Sequence, residues 1–239
     1  MTNPPSDRPA APDYPKLLSL AVHEMRTPAS VIAGYLRMIL NDRSAPLDER
    51  HRRMLVEAEK GCTRLVDILA ELSDLGKLDA GTAVLHDDRF DLFELASTVT
   101  ASLHEPLDRE VALEYRGLTT GAPVRGDKAR VTAALTVVIR AVVREQPSDT
   151  TVVVDAQRAV QDGRPFARIV VAPKPDLARA ASAPPSDFDD RRGGLGLGLP
   201  LARRVVGKHG GAIWSPLPEG GTLLPIGSRG AIAFALPLE

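Results

Sequence analysis

The stretch LSLAVHEMRTPASVIAGYLRMIL, residues 18–40, decides the fold of the N-terminal part of the chain. Its apolar residues recur at alternating steps of three and four, the spacing of one helix face. They are Leu18, Ala21, Met25, Pro28, Ile32, Tyr35 and Ile39. A second stripe with the same spacing comprises Leu55, Ala58, Cys62, Leu65, Leu69 and Leu72. The two stripes predict a hairpin of two long helices over residues 16–80, joined by the turn NDRSAPLDER.

Each helix of this hairpin carries one apolar stripe, and a single hairpin cannot bury both stripes well. Two copies that associate into a four-helix bundle would bury them. We therefore expect a homodimer.

The first predicted helix contains an ionisable imidazole side chain, His23. At about 100° per residue, it lies about 200° around the helix from Ala21 and from Met25, so it points away from the stripe. Thr27 lies one turn further on nearly the same face. Pro28 removes a backbone hydrogen bond just beyond the histidine, which predicts a bend there. The pattern alone also fits an ordinary surface histidine beside a tolerated kink.

The bulk composition excludes several classes of function. The 239 residues carry a formal net charge of −1 and are 4% aromatic, which argues against nucleic acid or an anionic membrane as a partner. No apolar run approaches the length of a membrane span. A single cysteine, Cys62, excludes an internal disulfide. Residues 1–15 form a proline-rich stretch without an apolar signal core. We expect a disordered tail there and a cytoplasmic protein.

The region from residue 86 to residue 239 mixes helix and strand patterns. FDLFELASTVTASL and DKARVTAALTVVIRAVVRE have the composition of helices, whereas DTTVVVDAQ, FARIVVAP and GAIAFALPLE indicate strands. A polar segment between Ala178 and Arg192 predicts a loop. Interleaved helices and strands predict an α/β sandwich, so the whole chain is of the α+β class.

Two motifs give the chain a resemblance to a known family. HEMRTP lies on the first helix, and GGLGLGLPLARRVVGKHGGAIW follows far downstream. Together, and in this order, they resemble the transmitter region of two-component histidine kinases. The resemblance implies a helical dimerisation and phosphotransfer hairpin followed by an ATPase-type sandwich, with ATP and Mg²⁺ as cofactors. It also implies a response-regulator receiver domain as the partner.

The resemblance assigns roles to individual residues. His23 would be the phosphorylated residue, since a neutral imidazole nitrogen is a competent nucleophile near neutral pH. Glu24 would orient or deprotonate the ring, and Thr27 would hold the water or contact the partner during dephosphorylation. The glycines Gly194, Gly196 and Gly198 would form a phosphate loop, or its relic, at a helix start. His209 is expected to be a helix-end residue, with Gly210 ending that helix.

The chain departs from the family at the ATP site. The metal-binding asparagine positions fall at Val137 and Ala141, neither of which offers the oxygen that Mg²⁺ needs. Ala172 stands where an aspartate would accept the adenine amine, and Ala231 replaces a threonine near the last strand. These changes predict no dedicated metal site and poor autophosphorylation. A shifted alignment would leave Asp127, Glu145 or Asp149 as alternative oxygen donors.

The sequence thus favours a family member that exchanges a phosphoryl group between His23 and a response-regulator aspartate, on a degenerate ATPase scaffold. One alternative is an active ATP-dependent histidine kinase with an unusual site. Another is a non-enzymatic regulator that binds a kinase or a receiver domain. The intact Glu24 and Thr27 argue against this last class.

Overall fold

A computed structural model of the chain describes residues 14–44, 46–103, 111–161, 163–190, 196–216 and 230–239. The chain divides into two compact units, Met1–Ala80 and Gly81–Glu239. The tail expected over residues 1–15 lies outside the described residues as far as residue 13.

The first unit is a hairpin of two helices, α1 (Tyr14–Asn41) and α2 (Glu49–Asp79), as the sequence predicts. Helix α1 continues through Pro28. Asp48 caps the start of α2, because its carboxylate accepts the backbone N–H of His51 at 3.0 Å. The Arg37 guanidinium lies 3.0 Å from the Glu59 carboxylate and links the two helices.

The helices pack through residues other than the predicted stripe of α1. The hairpin core consists of Val22, Ala29 and Leu69, with Val66 and Leu72 packed against it. Ala33 of α1 is also buried. All seven residues of the predicted α1 stripe are exposed within the single chain. Small side chains on α1 allow a close approach of α2 and leave the larger apolar side chains on a separate face.

The second unit contains seven strands and four α-helices among the described residues. In chain order they are β1 (Asp88–Asp91), α3 (Leu92–Ser102), β2 (Ala112–Gly117), β3 (Pro123–Gly126), α4 (Lys128–Arg144), β4 (Thr151–Gln161), β5 (Arg164–Pro173), α5 (Leu177–Ser182), α6 (Gly198–Lys208), β6 (Ala212–Trp214) and β7 (Ile232–Pro237).

Five strands form one mixed sheet in the order β2-β4-β5-β7-β6, and β1 pairs with β3 separately. Strands β2 and β4 are parallel, while the other neighbours in the large sheet are antiparallel. Helices α3, α4 and α6 cover one face; the Tyr115 hydroxyl of β2, for example, donates to the Phe93 carbonyl of α3 at 3.0 Å. The α+β class is therefore confirmed.

The opposite, outer face of the sheet is covered in part by α5, whose Leu177 and Ala180 pack on Val170, Ala172 and Trp214. The polar loop expected from Ala178 onward is therefore wrong for its first residues, which belong to this short helix. The apolar periodicity of this helix in the sequence is weak, because only two of its positions, Leu177 and Ala180, face the core.

Candidate functional site

His23, Glu24 and Thr27 lie together on α1, and all three side chains are exposed. One apolar face of α1 packs on α2, and a second, formed by the predicted stripe, is exposed. At about 100° per residue, His23 lies about 100° from Val22 and about 200° from Met25, so it belongs to neither face. The imidazole is therefore open to a reaction partner.

The backbone next to His23 is locally altered by Pro28. Proline has no N–H, so the carbonyl of Glu24 loses the helical hydrogen bond that residue 28 would otherwise supply. Among the side chains that the structure describes, no hydrogen bond or ion pair engages His23, Glu24 or Thr27. Their nitrogen and oxygen atoms remain available to an incoming group.

The glycine-rich segment leads into α6, as expected. Gly194 lies outside the described residues, Gly196 has a positive φ of 64°, and Gly198 begins the helix. Leu197 precedes α6, and its side chain accepts no hydrogen bond from the helix. The first backbone N–H groups of α6 therefore have no capping oxygen from Leu197. Pro200 lies in the first turn, where the missing N–H has no consequence. The phosphate loop, or its relic, therefore stays a prediction for this segment.

His209 ends α6 and connects it to the start of α4. Its Nδ1 lies 2.7 Å from the Val205 carbonyl, and its Nε2 accepts the backbone N–H of Asp127 at 2.8 Å. A Cβ at Gly126 would lie 2.0 Å from the imidazole, so only glycine permits this approach. Gly210 follows with a φ of 70°, as a helix-ending glycine should. Both sequence expectations hold, and the histidine has a structural role.

The asparagine positions on α4 do not fit a magnesium ion. Ala141 is fully buried and Val137 is half-buried, and both side chains are hydrocarbon. Arg140 and Arg144, on the same helix, are exposed cations. Mg²⁺ requires oxygen ligands, so these positions cannot hold it.

The alternative oxygen donors do not assemble into a metal site either. Asp127 caps α4 through the Arg130 N–H at 3.0 Å and also accepts the His86 N–H at 3.2 Å. Glu145 lies at the other end of α4, and Asp149 is in an exposed turn with a φ of 62°. Within the described ranges, no group of three or more His, Cys, Asp or Glu side chains could hold a metal ion.

The adenine end of the site shows the same mismatch. Ala172, at the aspartate position, is fully buried and packs in the core beneath α5. A Cβ at Gly230 would lie 2.6 Å from Gln146 Nε2 and 2.8 Å from Pro173 Cγ, so these three residues are in close contact. An adenine amine would find no acceptor on the Ala172 side chain.

The segment before the glycines is tied to the rest of the second unit, which the sequence reasoning missed. Phe188 is buried, and the Ser186 hydroxyl donates to the Ser215 carbonyl. The Asp190 carboxylate lies 3.7 Å from Arg203 and 3.8 Å from Arg204. A single phenylalanine among serine and aspartate residues gave only a faint signal for this attachment.

Comparisons with known proteins agree with this architecture. Residues 16–81 match the His Kinase A (phospho-acceptor) domain. The chain is 25% identical over 203 residues to the signal transduction histidine-protein kinase BarA of Escherichia coli strain K12. It is 28% identical over 208 residues to the sensor histidine kinase GacS of Pseudomonas protegens. Each alignment covers 80% of this chain and 22% of the relative, so the chain spans under a quarter of their length.

Solved structures share the fold. Full-length ShkA in complex with AMPPNP superposes with a TM-score of 0.67 at 21% identity, covering 94% of this chain and 46% of that one. Histidine kinase ThkA in complex with the response regulator protein TrrA gives 0.56 at 19% identity, covering 94% and 61%. No helix in the described parts of the chain is long and apolar enough to cross a membrane.

Proposed function

The chain belongs to the two-component histidine kinase family, and from this premise we propose that it is a phosphoryl carrier of two-component signalling. His23 accepts a phosphoryl group and exchanges it with an aspartate on a response-regulator receiver domain. ATP-driven autophosphorylation plays no part in this exchange. The exposed His23 on α1, within the matched phospho-acceptor domain, carries the proposal.

The neighbours of His23 suit this chemistry. An exposed imidazole nitrogen can attack a phosphoryl group in line, and the exposed Glu24 carboxylate can hold the ring in its reactive orientation. Thr27, one turn away, can position a water molecule or a partner oxygen. A related structure, ThkA with TrrA, is a complex with a response regulator, which supports this class of partner.

The proposal includes a homodimer. Along α1 the exposed apolar side chains include Met25, Ile32, Tyr35 and Ile39, which are 44–63% exposed in a single chain. An apolar stripe of this length normally marks a contact surface. A second copy that supplies the same stripe would close a four-helix bundle around it and leave His23 outside.

The proposed loss of ATP-dependent phosphorylation is argued from a residue of helix α4. Phosphoryl transfer from ATP depends on charge neutralisation by Mg²⁺, and the fully buried Ala141 offers no ligand for it. The sandwich then serves stability or docking. An unmet adenine amine at Ala172 would cost a further 1–3 kcal/mol, roughly, in binding.

The glycine segment favours one rival, an active ATP-dependent kinase with an unusual site. Gly196 has a positive φ of 64° and Gly198 begins α6, features that a phosphate loop at a helix start would need, and Glu145 lies one turn beyond Ala141. The ShkA structure contains AMPPNP, which supports nucleotide binding by proteins of this fold.

Labelled ATP distinguishes the two functions. The full chain is incubated with γ-labelled ATP and Mg²⁺, with His23→Gln as the control. The proposal predicts no acid-labile, alkali-stable label on either protein. Label on the wild type that is lost in His23→Gln would favour the kinase.

A further inference from the structure

Four polar side chains form a compact group on the outer face of the five-stranded sheet, the face opposite α3, α4 and α6. We define this outer-face quartet as Arg116, Asp155, Gln157 and Arg168. Arg116 on β2 is the register partner of Asp155 on β4, and Gln157 on β4 is the partner of Arg168 on β5. Partners of this kind have Cβ atoms about 5 Å apart, and alternate residues along a strand are about 7 Å apart.

Two donors of the outer-face quartet have no acceptor. Arg168 Nε and Gln157 Nε2 are both buried, and neither has a hydrogen-bond partner among the described residues. Native structures rarely leave such groups unmet, because each buried N–H without an acceptor costs free energy. The two residues are register partners on neighbouring strands.

Asp155 does not serve as the missing acceptor. No ion pair within 4.0 Å joins it to Arg116 or Arg168 among the described residues. Burial raises the pKa of Asp155, and the attraction of Arg116 and Arg168 only partly opposes that rise. Burial likewise lowers the pKa of Arg168. Two guanidinium groups against one carboxylate leave the quartet with one excess positive charge.

Each side chain of the outer-face quartet has some solvent exposure, although the Arg168 Nε and Gln157 Nε2 atoms themselves are buried. Arg116 is exposed, and Asp155, Gln157 and Arg168 are half-buried. Helix α5 covers the neighbouring part of this face, over Val170 and Ala172, and leaves the quartet beside it. Half-buried Phe166 stands next to Arg168 on β5 and gives the group an apolar border.

We propose that the outer-face quartet is a binding site for a small carboxylate anion: the half-buried side chains of Arg168 and Gln157 turn toward solvent, and their N–H groups donate to its two oxygens. A carboxylate oxygen accepts a stronger hydrogen bond from a charged guanidinium N–H than from a neutral amide N–H, so Arg168 would supply most of the affinity. One negative charge matches the excess charge of the quartet. A phosphate dianion would bring a second charge next to Asp155, which disfavours it.

An NMR titration of the full chain tests the site, with acetate as the probe and chloride at equal ionic strength as the reference. We expect saturable shifts of the Gln157 side-chain amide and the Arg168 Nε–H in acetate and none in chloride. Arg168→Met should weaken binding at least about tenfold, the loss expected for a charge-assisted hydrogen bond. Asp155→Asn should tighten it, because a like charge is removed.

Arg158→Met is the matched control. Arg158 lies next to Gln157 on β4 but on the opposite face, where its Nε donates to the Gly121 carbonyl at 3.0 Å. This variant should bind acetate like the wild type. If Arg168→Met does not fold, Arg168→Lys replaces it, since lysine keeps the charge but lacks the guanidinium edge. Equal shifts in chloride, stronger binding of phosphate than of acetate, or unchanged acetate affinity in the Arg168 variant would each overturn the proposal.

Discussion

Replacing Ile32 by aspartate should break the homodimer. Ile32 lies in the middle of the exposed α1 stripe and is 54% exposed in a single chain. Full burial of an isoleucine side chain contributes about 1.5–3 kcal/mol, so association would gain about half of that at each copy. A two-fold interface contains the residue twice, which gives about 2 kcal/mol per dimer.

A carboxylate at this position also has to be desolvated. A buried polar group without a partner costs about 1–3 kcal/mol in proteins. The two-fold interface contains two such carboxylates, so the total loss for Ile32→Asp is about 4–8 kcal/mol per dimer. At 1.4 kcal/mol per factor of ten, the dissociation constant should rise by about 10³–10⁶. Sedimentation velocity over a series of micromolar concentrations measures this constant directly.

Ser30→Asp is the matched control for this experiment. Ser30 is exposed on the same helix, about 200° around from Ile32, and should leave the dissociation constant unchanged. Far-ultraviolet circular dichroism verifies that both variants keep their helices. A wild-type chain that sediments as a monomer at these concentrations, or an Ile32→Asp variant that dimerises normally, would refute the assignment of this face.

Three further predictions concern the second unit. Asp91 accepts the N–H groups of Phe93, Glu94, Gly121 and Ala122. Burial alone would raise its pKa, but these hydrogen bonds lower it. Asp91→Ala should therefore lower the free energy of unfolding of the unit in urea by about 2–4 kcal/mol. This difference between variant and wild type should be largest above about pH 5 and should shrink as the pH falls below about 3.9, where the carboxylate of the wild type becomes protonated. Gly126→Ala should lower the melting temperature, because its Cβ would lie 2.0 Å from the His209 ring; equal melting of variant and wild type would contradict this contact. Ala141→Asn should cost about 1–3 kcal/mol by overpacking and should not restore ATP binding in calorimetry, since Ala172 still lacks the adenine acceptor.

Periodicity was sufficient to predict the long elements. Helix α4 and strands β4 and β5 have runs of Val, Ile and Ala long enough to signal helix or strand, and each forms where expected. Four other strands, β1, β2, β3 and β6, were not predicted. Three of them, β1, β3 and β6, have only three or four residues, which carry too little pattern. Helix α5 was hidden for the same reason within a stretch rich in proline and serine.

The apolar stripe of α1 shows why the residues in contact are harder to predict than the secondary-structure elements. The largest apolar side chains, such as Met25 and Ile32, marked the stripe in the sequence, yet the hairpin packs through Val22 and Ala29. Hydrophobic size alone does not say which of two adjacent faces meets the partner helix, because close helix packing selects small residues. The outward position of His23 was predictable because it lies off both faces.

Transfer of label from a phosphorylated receiver domain is the most direct test of His23 as a phosphoryl carrier. The full chain is mixed with a receiver domain labelled on its aspartate, in the absence of ATP, and the label is followed with time. Acid-labile, alkali-stable label is expected on the wild-type chain and not on His23→Gln. Label that never leaves the receiver for the chain, or that reaches His23→Gln equally well, would contradict this expectation.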